Sequence, residues 1–204
     1  MKLVLASNNA KKLKELDEIL SPLGWELIPQ EQLGVPESDE PHCTFVENAL
    51  EKARHASRLT GLPALADDSG LCVEAFGGAP GVQSARYAQT AANEAKSDAR
   101  NNAKLLAELG QRTDRNARFV SVIVFVRHAN DPQPIIAEGE WHGEILTAER
   151  GSAGFGYDPL FYIRELDQTS AELSAAEKNR CSHRGQALER LLERLSVNRS
   201  IADA

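Results

Sequence analysis

The chain has 204 residues, 42% hydrophobic and 26% charged, the balance of an ordinary globular protein with a sizeable core. Its formal net charge of −7 argues against nucleic acid or an anionic membrane as partner, since both need a basic face. Cys43, Cys72 and Cys181 lack any C-x-x-C pairing, which excludes a disulfide framework and a zinc site; no apolar run approaches the about 20 residues of a transmembrane helix, and a cytoplasmic enzyme is the default.

Lys2 to Ala6 reads as a short buried strand, followed by a helix with Leu13, Leu16, Ile19 and Leu20 at helical spacing and Gly24 closing it. Trp25 to Pro29 is a second strand, and Gln30 to His42 an acidic, proline-containing loop. Thr44 and Glu47 form a capping box for a helix whose face carries Val46, Ala49, Leu50 and Ala53 and which stops near Gly61. Leu62 to Ala66 is a strand, Asp67-Asp68-Ser69-Gly70 a tight acidic turn, and Gly77 to Gly81 a loop. Asn93 to Leu109 reads as a helix. Arg118 to His128 is the clearest strand, and Ile135, Ala137, Gly139 and Trp141 alternate on the next one, with apolar residues around Trp141 available for an interface. Glu149 to Pro159 is glycine-rich and irregular, and Ala187, Leu188, Leu191, Leu192 and Leu195 form the stripe of a C-terminal helix. Early alternation of strands and helices with a hairpin in the middle predicts an α/β fold, a long mixed β-sheet flanked by helices, in one domain over residues 1–204. Two lobes with a central active-site cleft would explain why loops of both halves carry polar motifs, beyond what the pattern itself gives.

Four groups of residues carry chemistry. Ser7, Asn8, Asn9, Ala10, Lys11 and Lys12 follow the first strand where a helix begins, a place that receives phosphate; simple helix capping explains Ser7 or Asn9 as well. No P-loop pattern is present. Asp68 suits a magnesium ion, which takes one or two carboxylates and completes its shell with water and phosphate; Glu40 is a candidate second ligand. Phe155-Gly156-Tyr157-Asp158 sets an aromatic face between glycines, able to meet a nucleobase. Lys178, His183 and Arg184 can each donate a hydrogen bond and suit a keto oxygen; solvated surface or a structural histidine is the plainer account of each alone.

Together, Ser7-x-Asn9-x-x-Lys12, Thr44-Phe45-x-Glu47-Asn48-Ala49, Ala66-Asp67-Asp68-Ser69-Gly70-Leu71, Gly81 with Ser84-Ala85-Arg86-Tyr87, Gly154-Phe155-Gly156-Tyr157-Asp158-Pro159 and Ser182-His183-Arg184-Gly185-Gln186-Ala187-Leu188 make the chain resemble the inosine-triphosphate pyrophosphatase family, whose members act on noncanonical purine nucleotides. The resemblance runs from Leu5 to Leu188. It implies Mg²⁺-dependent hydrolysis of ITP, dITP and XTP to monophosphate and pyrophosphate by a homodimer, cleansing the nucleotide pool. It further implies that Ser7 to Lys12 and Lys52 hold the triphosphate, that Asp68 accepts a proton and binds metal with Glu40, that Ser69 touches substrate, and that Phe155 to Asp158, Lys178, His183 and Arg184 bind the base. His42 and Gln83 depart from the family pattern and bear on loop geometry. A Maf-like pyrophosphatase of modified pyrimidine nucleotides, or a nucleotide sensor without hydrolysis, are the alternatives.

Overall fold

The computed structural model describes residues 2–20, 24–91 and 94–197, with the side chains of Ala10, Lys11, Glu15, Glu18, Ile19 and Val197 outside that set. Its strands are β1 (Lys2–Leu5), β2 (Glu26–Pro29), β3 (Ala64–Val73), β4 (Asn116–Val126), β5 (Ile135–Ile145), β6 (Phe161–Ile163) and β7 (Gln168–Thr169). Its helices are α1 (Ala10–Leu20), α2 (Phe45–Thr60), α3 (Asp98–Leu109), α4 (Ala175–Cys181) and α5 (His183–Val197). The strands form one seven-stranded sheet in the order β2-β1-β3-β4-β5-β6-β7. β1 runs parallel to β2 and β3, whereas β6 is antiparallel to β5 and β7, so the sheet is mixed as expected. Parallel strands need a crossover: α1 supplies it between the neighbours β1 and β2, and α2 carries the chain from β2 past β1 to β3.

The chain divides into two compact units. The first comprises Met1–Asp68, Ser121–Gly139 and Arg184–Ala204. In it, Leu3, Leu5, Leu65, Ile123, Phe125, Ile135 and Ala137 pack with Leu16 and Leu20 of α1 and Ala187, Leu188 and Leu191 of α5. Strand alternation selects these residues, because i and i+2 share a face. Of the α1 and α5 stripes read from spacing, Leu16, Leu20, Ala187, Leu188 and Leu191 are buried and Leu13, Leu192 and Leu195 are partly buried against them; the Ile19 side chain lies outside the described residues.

α2 starts where expected: the Thr44 side chain accepts the Glu47 N–H at 3.3 Å, and Gly61, at φ +70°, ends the helix. Its buried face is rotated from the expected one. Val46 and Leu50 are half-buried, while Asn48, Ala49, Ala53, Ala56 and Ser57 are buried, because small side chains let the helix approach the sheet.

The acidic segment is not a turn. β3 runs unbroken for 10 residues through Asp67, Asp68, Ser69 and Gly70. Successive side chains leave a strand by opposite faces, so each acid meets its own partners and both can be buried without breaking the ladder.

The second unit, Ser69–Val120 with Glu140–His183, packs Leu71, Val73, Leu105, Leu109, Phe119, Ile145, Tyr157, Leu160 and Phe161 into its own core. Trp141 belongs to that core, with its ring 5.4 Å from Phe161 and the residue 6% exposed, so it does not present the apolar surface expected of it. α3 begins at Asp98, where the Ser97 side chain accepts the Arg100 N–H; Asn93, its expected start, lies outside the described residues. Cys43, Cys72 and Cys181 form no disulfide with one another.

Leu188 is fully buried. Leu188→Ala is expected to lower the unfolding free energy by about 2–5 kcal/mol, read from the urea midpoint at unchanged slope.

Candidate active site

The first strand and helix place their polar residues by ordinary capping. Asn9 Oδ1 accepts the Lys12 N–H at 3.2 Å, and Ser7 Oγ accepts the Asn9 N–H at 3.2 Å. Asn8 Oδ1 accepts from Gln30 Nε2 at 2.9 Å. Ala10 and Lys11 fall in the first turn of α1, with side chains outside the described set. Lys12 does not point into solvent: its Nζ lies 2.6 Å from Asp67 Oδ2.

Asp67 is the centre of one network. Besides Lys12 it accepts a hydrogen bond from Ser121 Oγ at 2.7 Å, and Arg184 Nε lies 3.8 Å from its Oδ1. Burial opposes the Asp67 charge, but Lys12, Arg184 and the Ser121 hydroxyl outweigh it and hold the carboxyl well below the usual range. A carboxylate so committed is a poor proton acceptor. Arg184, expected beside a base, is tied in this unit to Asp67.

Asp68, on the opposite strand face, is the centre of a second network. Lys52 Nζ donates to Asp68 Oδ1 at 2.8 Å and also contacts Glu40 Oε1, so one ammonium joins the two acids read from sequence as a metal pair. Burial works against the Lys52 charge, yet Asp68 and Glu40 together raise its pKa. Burial pushes the Asp68 carboxyl above its ordinary value, against the pull of Lys52. Of the adjacent acids, Asp68 is the one whose hold on a proton is strengthened, by burial. Two carboxylates converging on one positive charge fit a divalent cation of the magnesium kind, which needs few protein ligands; among the described residues no group of three or more metal-ligating side chains occurs, so an all-protein cage is not offered. Ser69 follows Asp68 directly in β3.

In the second unit the Gly154–Asp158 segment is bound from within. Asp158 accepts the Phe155 N–H at 2.8 Å, the Ser170 hydroxyl at 2.8 Å and Lys178 Nζ at 2.6 Å. Lys178 Nζ also stands 5.0 Å from the Phe155 ring centroid, a cation held over an aromatic face. Gly154, at φ +77°, has no room for a side chain: a Cβ would collide with the Asp158 carboxylate. Gly156 is gripped on both sides, its N–H by Asp98 at 2.8 Å and its carbonyl by Asn102 at 3.2 Å. The Tyr157 hydroxyl donates to the Ser84 carbonyl at 2.8 Å, and its ring is core. His183 stacks on Phe119, with centroids 4.8 Å apart and planes at 14°.

Several partners were missed in the sequence. Ser121 interrupts an apolar strand, and Asn48 sits on the buried face of α2; in each case a polar residue at a core position was the available signal. Asp98, Asn102 and Ser170 gave none, because their bonds link segments far apart in the chain.

The sequence profile of the Ham1 family matches residues 3–194. A dITP/XTP pyrophosphatase of Ralstonia nicotianae is 64% identical over 196 residues, covering 96% of this chain and 97% of the relative; one of Bordetella pertussis is 61% identical over 194 residues, covering 95% and 91%. A solved structure described as a HAM1 protein from Coxiella burnetii superposes with a TM-score of 0.88 at 49% identity, covering 96% of this chain and 98% of that one.

The Asp67 network carries a pH signature. Its folded carboxyl titrates below the unfolded value, so the ionised group stabilises the fold above about pH 4 and loses that contribution as acid titrates it. Asp67→Asn is expected to destabilise most near neutral pH, and its difference from wild type to shrink between about pH 5 and about pH 3 in urea titrations.

Proposed function

The chain belongs to the Ham1 family, and on that premise we propose that it hydrolyses dITP, XTP and ITP to the nucleoside monophosphate and pyrophosphate with Mg²⁺ as cofactor. The observation that carries the reading is the strand geometry of β3, which sets Asp68 toward Glu40 and Lys52, and Asp67 toward Lys12 and Arg184. The second carboxylate thereby remains available as a base while the first fixes cations.

In this reaction a water oxygen bonds to the α-phosphorus, the bond from that phosphorus to the bridging oxygen breaks, and pyrophosphate leaves. Asp68 accepts the proton of the attacking water. Glu40 and Asp68 would hold Mg²⁺, which when bound supplies charge neutralisation at the phosphate oxygens. Lys52, whose ammonium lies between Glu40 and Asp68, would turn to the triphosphate and join Lys12 and the Ser7–Lys12 segment in balancing its charge. Ser69 touches the substrate beside Asp68.

For the base, Phe155 offers its ring and Gly156 and Tyr157 shape the loop, while Asp158 fixes Lys178 as a donor. Hypoxanthine and xanthine carry an oxygen at the six-position that satisfies Lys178, His183 or Arg184. Adenine carries an amino group there and leaves such donors unpaired, at about 1–3 kcal/mol each. Among the described residues no helix is long and apolar enough to cross a membrane. Action on the free nucleotide pool supports a cytoplasmic location, and we extend to this chain the homodimer that the family resemblance implies.

Two experiments follow. With dITP or XTP and Mg²⁺, pyrophosphate assayed apart from orthophosphate is expected as the sole phosphate product and is lost on chelation; Asp68→Asn should lower kcat at least about 100-fold. Release of orthophosphate would overturn the reaction. Lys178→Met is expected to narrow the dITP-over-dATP ratio of kcat/KM by about fivefold or more, and an unchanged ratio removes Lys178 from base reading.

A further inference from the structure

The Thr44–Ala49 motif contains a buried amide that the reaction above does not use. Asn48 is 1% exposed on the sheet-facing side of α2. Its Oδ1 accepts the His42 N–H at 3.0 Å, while its Nδ2 donates to the His42 carbonyl at 3.2 Å and to Asp68 Oδ2 at 3.4 Å. One side chain thus ties the loop bearing Glu40 to the carboxylate on β3. The far oxygen of Asp68, Oδ1, is the one on Lys52.

We propose that Asn48 is a positioning residue that holds Asp68 and the Glu40 loop at the spacing a divalent cation requires. The inference rests on the reading of Glu40 and Asp68 as the metal pair. Three properties support it. The amide pins one Asp68 oxygen through a neutral donor, which leaves the carboxylate its charge and fixes its plane. It reaches the loop through the backbone of residue 42 on both its N–H and carbonyl, so histidine serves there as well as another residue; its φ is not positive, since Asp167 is the one non-glycine of positive φ among the described residues. Finally, Asn48 lies in the first turns of a helix whose start is fixed by Thr44 and Glu47, which anchors the amide to a rigid element.

A core asparagine that served packing alone would leave metal affinity untouched when replaced. The test is Mn²⁺ binding by electron paramagnetic resonance, without nucleotide, on wild type, Asn48→Ala, Asn48→Ser, Asp68→Asn and the double variant Asn48→Ala/Asp68→Asn, each checked for folding by circular dichroism. Removal of a residue that orients a metal ligand weakens binding by about 10–100-fold, which is the loss expected for Asn48→Ala. Because Asn48 acts through Asp68 as well as the Glu40 loop, its removal in the Asp68→Asn background is expected to cost less affinity than in wild type, with only the part carried by the loop remaining. A folded Asn48→Ala or Asn48→Ser protein that binds Mn²⁺ within about twofold of wild type overturns the proposal, as does equal loss in both backgrounds. Failure of both variants to fold assigns Asn48 to stability alone and likewise overturns it. Wild type that binds no Mn²⁺ removes the metal pair and the proposal with it, whereas wild type that binds Mn²⁺ but releases no pyrophosphate from dITP removes the reaction and leaves the positioning role standing.

Discussion

Two adjacent carboxylates in an unbroken strand impose the arrangement of the first unit. Asp67 and Asp68 leave β3 by opposite faces, and neither can be buried as an anion without a cation of its own. The face of Asp67 is that of Leu65, which packs with α1 and α5, so these two helices supply Lys12 and Arg184. The face of Asp68 is that of α2, which supplies Lys52 and Asn48. The same alternation that divides apolar side chains between two layers divides the charges, and different environments then push the two acids apart: one is held low by cations, the other raised by burial.

The second unit solves a different problem. The Gly154–Asp158 segment lacks regular structure, so its backbone groups need partners from elsewhere. Asp158 accepts the Phe155 N–H, Asp98 accepts the Gly156 N–H and Asn102 donates to the Gly156 carbonyl, while Asp158 also accepts from the Ser170 hydroxyl and Lys178. Lys178 gains an anchored ammonium over the Phe155 ring, which fixes donor and aromatic face together. Gly154 is required by contact as well as by conformation, because its neighbour in space is the Asp158 carboxylate itself.

Much of this was legible before any coordinates. The periodic stripes of α1 and α5, the apolar run of β4, the cap of α2, and the mixed sheet follow from local pattern, where one interaction dominates each choice. The acidic segment was misread because Asp, Ser and Gly favour turns when nothing else acts on them; in the fold, Lys12, Ser121, Lys52 and Asn48 act on them from segments remote in sequence. Trp141 misled for the opposite reason: alternation located its face correctly but could not say that Phe161 would cover it. Residue type and order named candidates for the site but not their pairing, since Arg184 with Asp67 is a tertiary fact.

Buried ion pairs are poor stabilisers. Withdrawing two charges from water costs about as much as their attraction returns, and apolar residues of similar shape often serve a fold better. The first unit nevertheless keeps Lys12, Asp67 and Arg184 on one face of β3, and Glu40, Lys52 and Asp68 on the other, with side chains largely withdrawn from solvent. Nor does the sheet need them, because Leu65 and Ala66 show that the same strand accepts apolar residues immediately before the acids. Charge retained where packing would favour its loss is ready for a charged ligand. Such a cluster is the kind of preorganised electrostatic environment that meets a charged ligand with little reorganisation.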